Sequence, residues 1–420
     1  MASLNSAQPL NVIIVGAGIG GLTTAVALRR AGHHVKVYES SRIKTEIGAG
    51  VALQVNSVRV LKSLGYEREN LKGGVFDGIK IFNAETAESN EYPTLNLETF
   101  KQEGINGLSC HRSDLHNELR RLATEDNLNS TDPPVELHLG SRIVGCDAEA
   151  GAITLGTGET VAGDLVIGAD GVHSIVRTSV LGQDIQAEPS GWFCYRCIFD
   201  ASELDNYPEL AWVKGIKNVM SVRLEDAALS EYIVYNIRGS TLINMVAFDV
   251  DSERHTHKPT SEIVTKEAFL EKYPKFHPQF TRLFDLPLVT PVIKWQLRAM
   301  PMLPTWIRGR TVIMGDAAHA TLPLLAQGAG MAIEEAACLG ILLAAGTTPD
   351  QVPARLEAFQ ALRKDRGEFV NVQSVAQTDP ENRAKFMRRS DFQAYLVEYD
   401  TISTTQKYYD THFGGVSAGL

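Results

Sequence analysis

Gly16, Gly18 and Gly21, with Glu39 about 20 residues on, have the types and spacing that hold a dinucleotide. The first glycine allows a tight turn. The second lets the backbone approach a pyrophosphate, and the third lets helix and strand pack closely. A phosphate there meets the free N–H groups and the dipole of a helix N-terminus. Glu39, ending the next strand, can accept from a ribose hydroxyl and would repel a 2′-phosphate, which argues against NADP at this site. The motif by itself does not separate NAD from FAD. A second chemical stretch is GDAAHATLPLLAQGAG, Gly315 to Gly330. A helix that only packs would carry fewer glycines and no acid at the end of an apolar strand. A third pattern, Cys194-Tyr195-Arg196-Cys197, has the spacing of a redox pair or half a zinc site. It has no second Cys pair, and apolar Trp192, Phe193 and Ile198 flank it, so it reads as strand packing and no metal is expected.

The elements that must position these residues follow from the hydrophobic pattern. Asn11 to Val15 (NVIIV) is a buried parallel strand, LTTAVALRRAG a helix closed by Gly32, and VKVYES a second strand, a βαβ opening. From Pro134 to Gly171 short strands alternate with Gly and Asp turns, and from about Glu188 to Pro291 alternating strands (GWFCYRCIF, EYIVYNI, LINMVAF) predict a mostly antiparallel sheet. The charged loop DSERHTHKPTSE interrupts that sheet. TVIMGDAAH returns to the buried-strand pattern before a helix through Met331–Ala345, and the tail from Pro353 is mostly helical. The expected fold is α/β: a discontinuous Rossmann-like nucleotide domain (1–75, 100–182, 292–350), an inserted sheet domain that binds substrate (76–99, 183–291) and a helical C-terminal region (351–420).

Composition excludes other classes. A chain of 420 residues with 44% hydrophobic content is globular and long enough for more than one core, and a net charge of −10 argues against nucleic-acid binding. The N-terminus reads as strand and turn, not as a signal peptide, and no apolar run reaches membrane-span length. Five scattered cysteines suit a reduced compartment, so a cytoplasmic location is expected. The pairs His33–His34 and His255–His257 lack neighbouring ligands and are expected to be solvated.

GDLVIGADGVHSIVR (Gly163 to Arg177) and GDAAHATLPLLAQGAG resemble the second and third fingerprints of the FAD-dependent aromatic hydroxylases, the single-component class that includes salicylate hydroxylase and para-hydroxybenzoate hydroxylase. With the first glycine motif they stand in that family's order and spacing, and the resemblance extends to about Gly346. It implies bound FAD, with Asp316 on the ribityl chain and the loop from Pro323, with Gly328 and Ala329, against the isoalloxazine ring. It further implies that Arg112 helps hold FAD and that Asp170 interacts with FAD and pyridine nucleotide. Gln54 and Asn56 match a segment near the flavin, and His319 is a structural fingerprint residue. Arg196 and Tyr235 match pocket residues of relatives. The arginine would orient a phenolate or carboxylate, and the tyrosine would bond or deprotonate a phenol. Gln54 and Pro323 would also border the substrate. Two positions depart from relatives: Leu324 replaces an aromatic or His, and Glu231 stands where some relatives have a basic His.

The implied reaction is hydroxylation of an electron-rich aromatic compound with NAD(P)H and O2 through a flavin C4a-hydroperoxide. Alternatives are an epoxidase or dearomatising hydroxylase of a larger natural product, such as an indole alkaloid or polyketide phenol, and a catalytically silent FAD-binding scaffold. A flavin halogenase is disfavoured, because no Trp forms a W-x-W-x-x-P pattern.

Overall fold

The computed structural model describes residues 8–42, 49–76, 78–93, 105–126, 133–214, 219–224, 230–250, 261–379, 381–382, 385 and 390–414. His255, His257 and the body of the charged loop lie outside them. Among the described residues no helix is long and apolar enough to cross a membrane.

NVIIV forms the strand Asn11–Val15, whose last four residues are all buried. It lies at the centre of a six-stranded sheet, between Leu165–Gly168 and His34–Glu39, with Glu136–Leu139 beyond one and Thr311–Ile313 then Ile307–Arg308 beyond the other. All pairings are parallel except the last. A strand parallel to both neighbours is covered on both faces, which is why its residues are continuously apolar. The helix Ile19–Arg30 packs against Gly328–Leu342 and Arg112–Thr124. It is buried almost all round, as its Thr, Ala, Leu and Val content requires. Among the described residues the C-terminal helices Val352–Ala376, Ser390–Val397 and Thr401–His412 follow.

The second large sheet has eight strands in the order Ser261–Val264, Val292–Ala299, Glu188–Asp200, Leu242–Val250, Glu231–Ile237, Val219–Arg223, Gly78–Asn83, Ser89–Pro93. Only Val219–Arg223 with Gly78–Asn83 is parallel. Side chains alternate between its faces. Tyr195, Cys197, Tyr232, Val234, Met245 and Ala247 pack on one face against Phe269, Phe280 and Phe284. Cys194 sits on the other face with Phe248. Three positions apart on one strand, Cys194 and Cys197 point to opposite faces and cannot share a metal or a disulfide. His33 corrects an expectation: it is 1% exposed. Its Nδ1 accepts from the Leu10 N–H at 3.2 Å and its Nε2 lies 2.6 Å from the Leu343 carbonyl. Burial lowers its pKa, so the neutral ring can donate at one nitrogen and accept at the other.

Candidate active site

The site begins at the first strand-to-helix turn. Gly16 has φ +100°, and a Cβ there would lie 2.4 Å from the Ala169 carbonyl oxygen. A Cβ on Gly21 would lie 2.0 Å from the Gly16 carbonyl oxygen, so the turn closes only with glycine at both positions. Gly18 differs, for a Cβ there would meet nothing within 4 Å. It is the N-cap of Ile19–Arg30, with no side chain capping the helix. The open space is a cavity of about 780 Å³ lined by Gly16, Gly18, Glu39, His116, Arg120 and Asp170, among others. That volume falls in the range of cofactor pockets.

Glu39 ends its strand here. One carboxylate oxygen accepts from the Ala17 N–H at 2.9 Å, the other from the Ser41 N–H at 2.7 Å. The acid therefore braces the glycine turn as well as facing the cavity. Asp170 lines the cavity too, but its oxygens are engaged by the Ser174 hydroxyl at 2.5 Å and the N–H groups of Ile175 and Val176 at 2.8 and 3.2 Å. With Ser174, the N-cap whose hydroxyl accepts from the Arg177 N–H, it satisfies the first N–H groups of the helix Ile175–Leu181. Burial holds its carboxyl above the ordinary range against these bonds. Arg112 begins the helix Arg112–Thr124 and is exposed, outside the cavity lining. His116 and Arg120, farther along that helix, line the cavity instead. His116 Nε2 is 2.8 Å from the Ala17 carbonyl, while its buried Nδ1 has no partner among the described residues.

The other end is built from the Gly315–Gly330 stretch. The Gly315 N–H donates to Glu335 Oε2 at 2.8 Å, and Glu335 Oε1 meets His319 Nε2 at 2.6 Å. Burial would lower the His319 pKa; the carboxylate outweighs it, and the net direction is up. His319 thus anchors the loop, as its fingerprint position implies. Asp316 is exposed at the start of Asp316–His319, with no hydrogen-bond partner among the described residues. After the turn Pro323–Leu325, Ala326 takes φ +51°, a left-handed conformation that favours glycine. Gly328 and Ala329 open the helix Gly328–Leu342. Gln54 Nε2 donates to the Leu325 carbonyl at 3.2 Å, which ties the earlier segment to this loop. Asn56 Nδ2 donates to Gln327 Oε1 at 3.1 Å and to Glu334 Oε1 at 2.6 Å.

Arg196 and Tyr235 stand on the remaining wall. Arg196 is opposite Val246, which is opposite Ile233; Tyr235 is opposite Asn244, which is opposite Ile198. Cross-strand partners share a face, so both side chains project from the Cys194 face. That face meets the two loops: Leu322 and Leu324 pack with Cys194 and Phe248, and Ala52 with Tyr235 and Ile198. Arg196 is half-buried beside the Cys194 thiol, and its Nε is buried without a hydrogen-bond partner among the described residues. Tyr235 is 7% exposed, and burial pushes its hydroxyl well above the ordinary phenol range. Such a phenol is protonated at neutral pH and can donate. Glu231, on the same strand and face, is buried and accepts from the Ser221 hydroxyl.

Two residues that the sequence reading did not single out complete the site. His116 had a local signal: it lies one helical turn after Arg112. Arg177, fully buried, donates to the carbonyls of Ile185 (2.8 Å), Ala317 (3.1 Å) and Val172 (2.9 Å), tying the second fingerprint to the third. Nothing in its sequence context marks it as buried. The open approach at Gly18, the cavity beside it and the unpartnered His116 nitrogen fit the adenosine-diphosphate half of FAD; exposed Asp316 and the 328–342 helix start fit its ribityl and ring half.

The FAD binding domain family matches residues 9–374. Hispidin-3-hydroxylase of Neonothopanus nambi is 38% identical over 98% of each chain, and the FAD-dependent monooxygenase cfoG of Aspergillus candidus is 32% identical over 88% of this chain and 86% of that one. A solved salicylate hydroxylase substrate complex shares the fold with a TM-score of 0.75 at 23% identity, covering 95% of this chain and 97% of that one. Matched over most of its length, the chain belongs to the FAD binding domain family and is an FAD-dependent monooxygenase of the aromatic-hydroxylase type.

Proposed function

We propose that this monooxygenase hydroxylates an electron-rich phenolic compound, with NAD(P)H and O2 as co-substrates. One observation carries the reading: a half-buried arginine with an unpartnered Nε and a buried, protonated tyrosine share the sheet face that meets the Pro323 loop. FAD, when bound and reduced by NAD(P)H, supplies the activation of oxygen. The chain supplies the rest. Arg196 orients a phenolate or carboxylate through its planar fork, and Tyr235 donates to a substrate oxygen. Leu322, Leu324, Val246 and Ile233 exclude water around the reacting carbon.

In this reading Gly16, Gly18, Gly21, Glu39 and Asp170 shape the dinucleotide end, with Arg112 at its rim. Asp316 holds the ribityl chain, and Pro323, Gly328 and Ala329 border the ring, with Gln54 beside them. Residues 1–75, 100–182 and 300–350 serve the cofactor and 76–99 and 183–299 the substrate; the expected boundary at 292 moves because Val292–Ala299 pairs inside the eight-stranded sheet, and the C-terminal helices brace both. A cytoplasmic location belongs to the same reading, supported by five cysteines that are all free thiols. One relative is named for hispidin, which makes hispidin the first compound to try.

The test is an anaerobic visible spectrum of the purified holoenzyme as NADPH or NADH and a phenol are added. Bleaching that accelerates with a phenol present supports the reading. Bound flavin that neither coenzyme bleaches, with any phenol, would overturn it in favour of the silent scaffold. Two substitutions separate the roles. Asp316→Ala is expected to weaken FAD retention about 10- to 100-fold, the worth of one charge-assisted hydrogen bond; unchanged flavin content after gel filtration would sink the ribityl assignment. Arg196→Ala is expected to keep FAD, raise the phenol KM about 10-fold or more, and divert NAD(P)H oxidation from product to peroxide. Unchanged product per coenzyme consumed would remove Arg196 from the site.

A further inference from the structure

The sheet face that carries Arg196 does not end at Arg196. Arg196 lies opposite Ile293 on the next strand, and Ile293 lies opposite Ile263 on the edge strand. Trp295, two residues along from Ile293, is opposite Cys194 on one side and Ser261 on the other. Because cross-strand partners share a face, Ile293, Trp295 and Ile263 project from the same side as Arg196. This part of the face is open: Trp295 is 43% and Ile263 74% exposed. Further in, Leu297 of the same strand is buried with Leu322 and Cys194. An apolar strip therefore runs from the Pro323 loop, past Arg196, to the solvent edge.

Scattered exposed apolar residues are ordinary, but a contiguous strip beside a binding wall is not. Adjacent strands are about 4.8 Å apart, which puts Ile293 about 5 Å and Ile263 about 10 Å from Arg196 toward the edge. Tyr235 lies on the opposite side of Arg196, two strands away. A single ring held between Arg196 and Tyr235 leaves the strip uncovered, whereas a second ring joined by a short linker would reach it. Among the described residues the strip itself carries no charge, since Lys294 turns to the other side, over the Phe193 ring at 4.1 Å. An indole and two isoleucines suit a flat apolar group.

We propose that Ile293, Trp295 and Ile263 form an outer subsite that seats the second, unreactive aromatic group of an elongated substrate, so that the enzyme selects extended phenols over single-ring phenols. This rests on the reading of the Arg196 face as the substrate floor.

The probes are 4-hydroxystilbene and 4-methylphenol, titrated into the FAD-loaded enzyme and followed by the change in flavin absorbance. The wild-type enzyme is expected to bind the stilbene more tightly, and Trp295→Ala to cut the ratio of the two dissociation constants about tenfold, the scale of one lost aromatic contact with its buried area. Arg196→Ala is expected to weaken both probes alike. A ratio that Trp295→Ala leaves unchanged, with both probes still sensitive to Arg196→Ala, overturns the subsite and leaves the floor standing. Binding of neither probe, or binding indifferent to Arg196→Ala, overturns the floor and the subsite with it. Trp295 is 43% exposed on the strand beside the sheet edge, so its removal leaves the buried core intact.

Discussion

Replacing Glu334 with alanine is expected to cost about 3–5 kcal/mol of stability, the scale seen when one partner of a buried ion pair is removed. Glu334 is fully buried and accepts from Arg363 Nη2 at 2.6 Å, Arg366 Nε at 2.8 Å and Nη2 at 2.9 Å, and Asn56 Nδ2 at 2.6 Å. Burial pushes its pKa up, the two guanidinium groups pull it down, and the net direction is down, so the carboxylate stays charged. Removing it leaves two buried cations facing each other. Glu335 still acts on Arg363, but Arg366 keeps only uncharged contacts: it donates to the Tyr395 and Leu396 carbonyls at 3.0 Å each, and its guanidinium lies 4.1 Å from the Tyr399 ring. The melting temperature should fall by roughly 3–6 °C. The C-terminal helices should become protease-sensitive first, because Arg363 and Arg366 both tie them to Glu334 on the 328–342 helix. Glu334→Gln, which keeps the volume but not the charge, should fall in between. Wild-type melting in the alanine variant would mean that the arginines find other anions and that the network is not a keystone.

The same network shows where the sequence was legible and where it was not. Asn11–Val15, Glu231–Ile237 and the 188–200 strand could be read because a run of β-branched or alternating residues has one cheap solution, a buried strand. In the structure the same alternation puts Cys194 and Cys197 on opposite faces of that strand. Charged and polar residues offer no such rule. Glu334 and Glu335 look like an acidic pair on a helix surface, yet both are fully buried because Arg363, Arg366 and His319 reach them from elements or turns distant in sequence. His33 and Arg177 escape notice for the same reason: their partners are backbone carbonyls that only the tertiary fold supplies. At the site, the glycine spacing and Glu39 were legible because backbone geometry dictates them. The exposure of Arg112 and the cavity-facing position of His116 depend on how one helix is rotated against the first βαβ unit.

Gly18→Ala and Gly21→Ala, three residues apart in one motif, are expected to fail in different ways. A methyl on Gly21 would sit 2.0 Å from the Gly16 carbonyl oxygen and 3.4 Å from the Ala169 Cβ. The first obstacle is backbone that cannot rotate aside, so the turn must open. That strain should cost about 1–3 kcal/mol or more and remove FAD along with stability. A methyl on Gly18 meets no protein atom within 4 Å, so the flavin-free protein should melt within about 0.5 kcal/mol of wild type. The space it takes lies at the uncapped start of the 19–30 helix, where N–H groups are free to meet a pyrophosphate. Holding the phosphates off by one methyl should therefore weaken FAD about 10- to 100-fold, or 1.4–2.8 kcal/mol. Because bound ligand stabilises by RT ln(1 + [L]/Kd), the increment that excess FAD confers on Gly18→Ala should be smaller by about the same 1.4–2.8 kcal/mol. Two melting curves per variant, with and without excess FAD, measure all of this. If Gly18→Ala keeps the full FAD increment, the pyrophosphate does not approach this turn. If Gly21→Ala melts like wild type without FAD, the 16–21 turn has slack that its packing does not suggest.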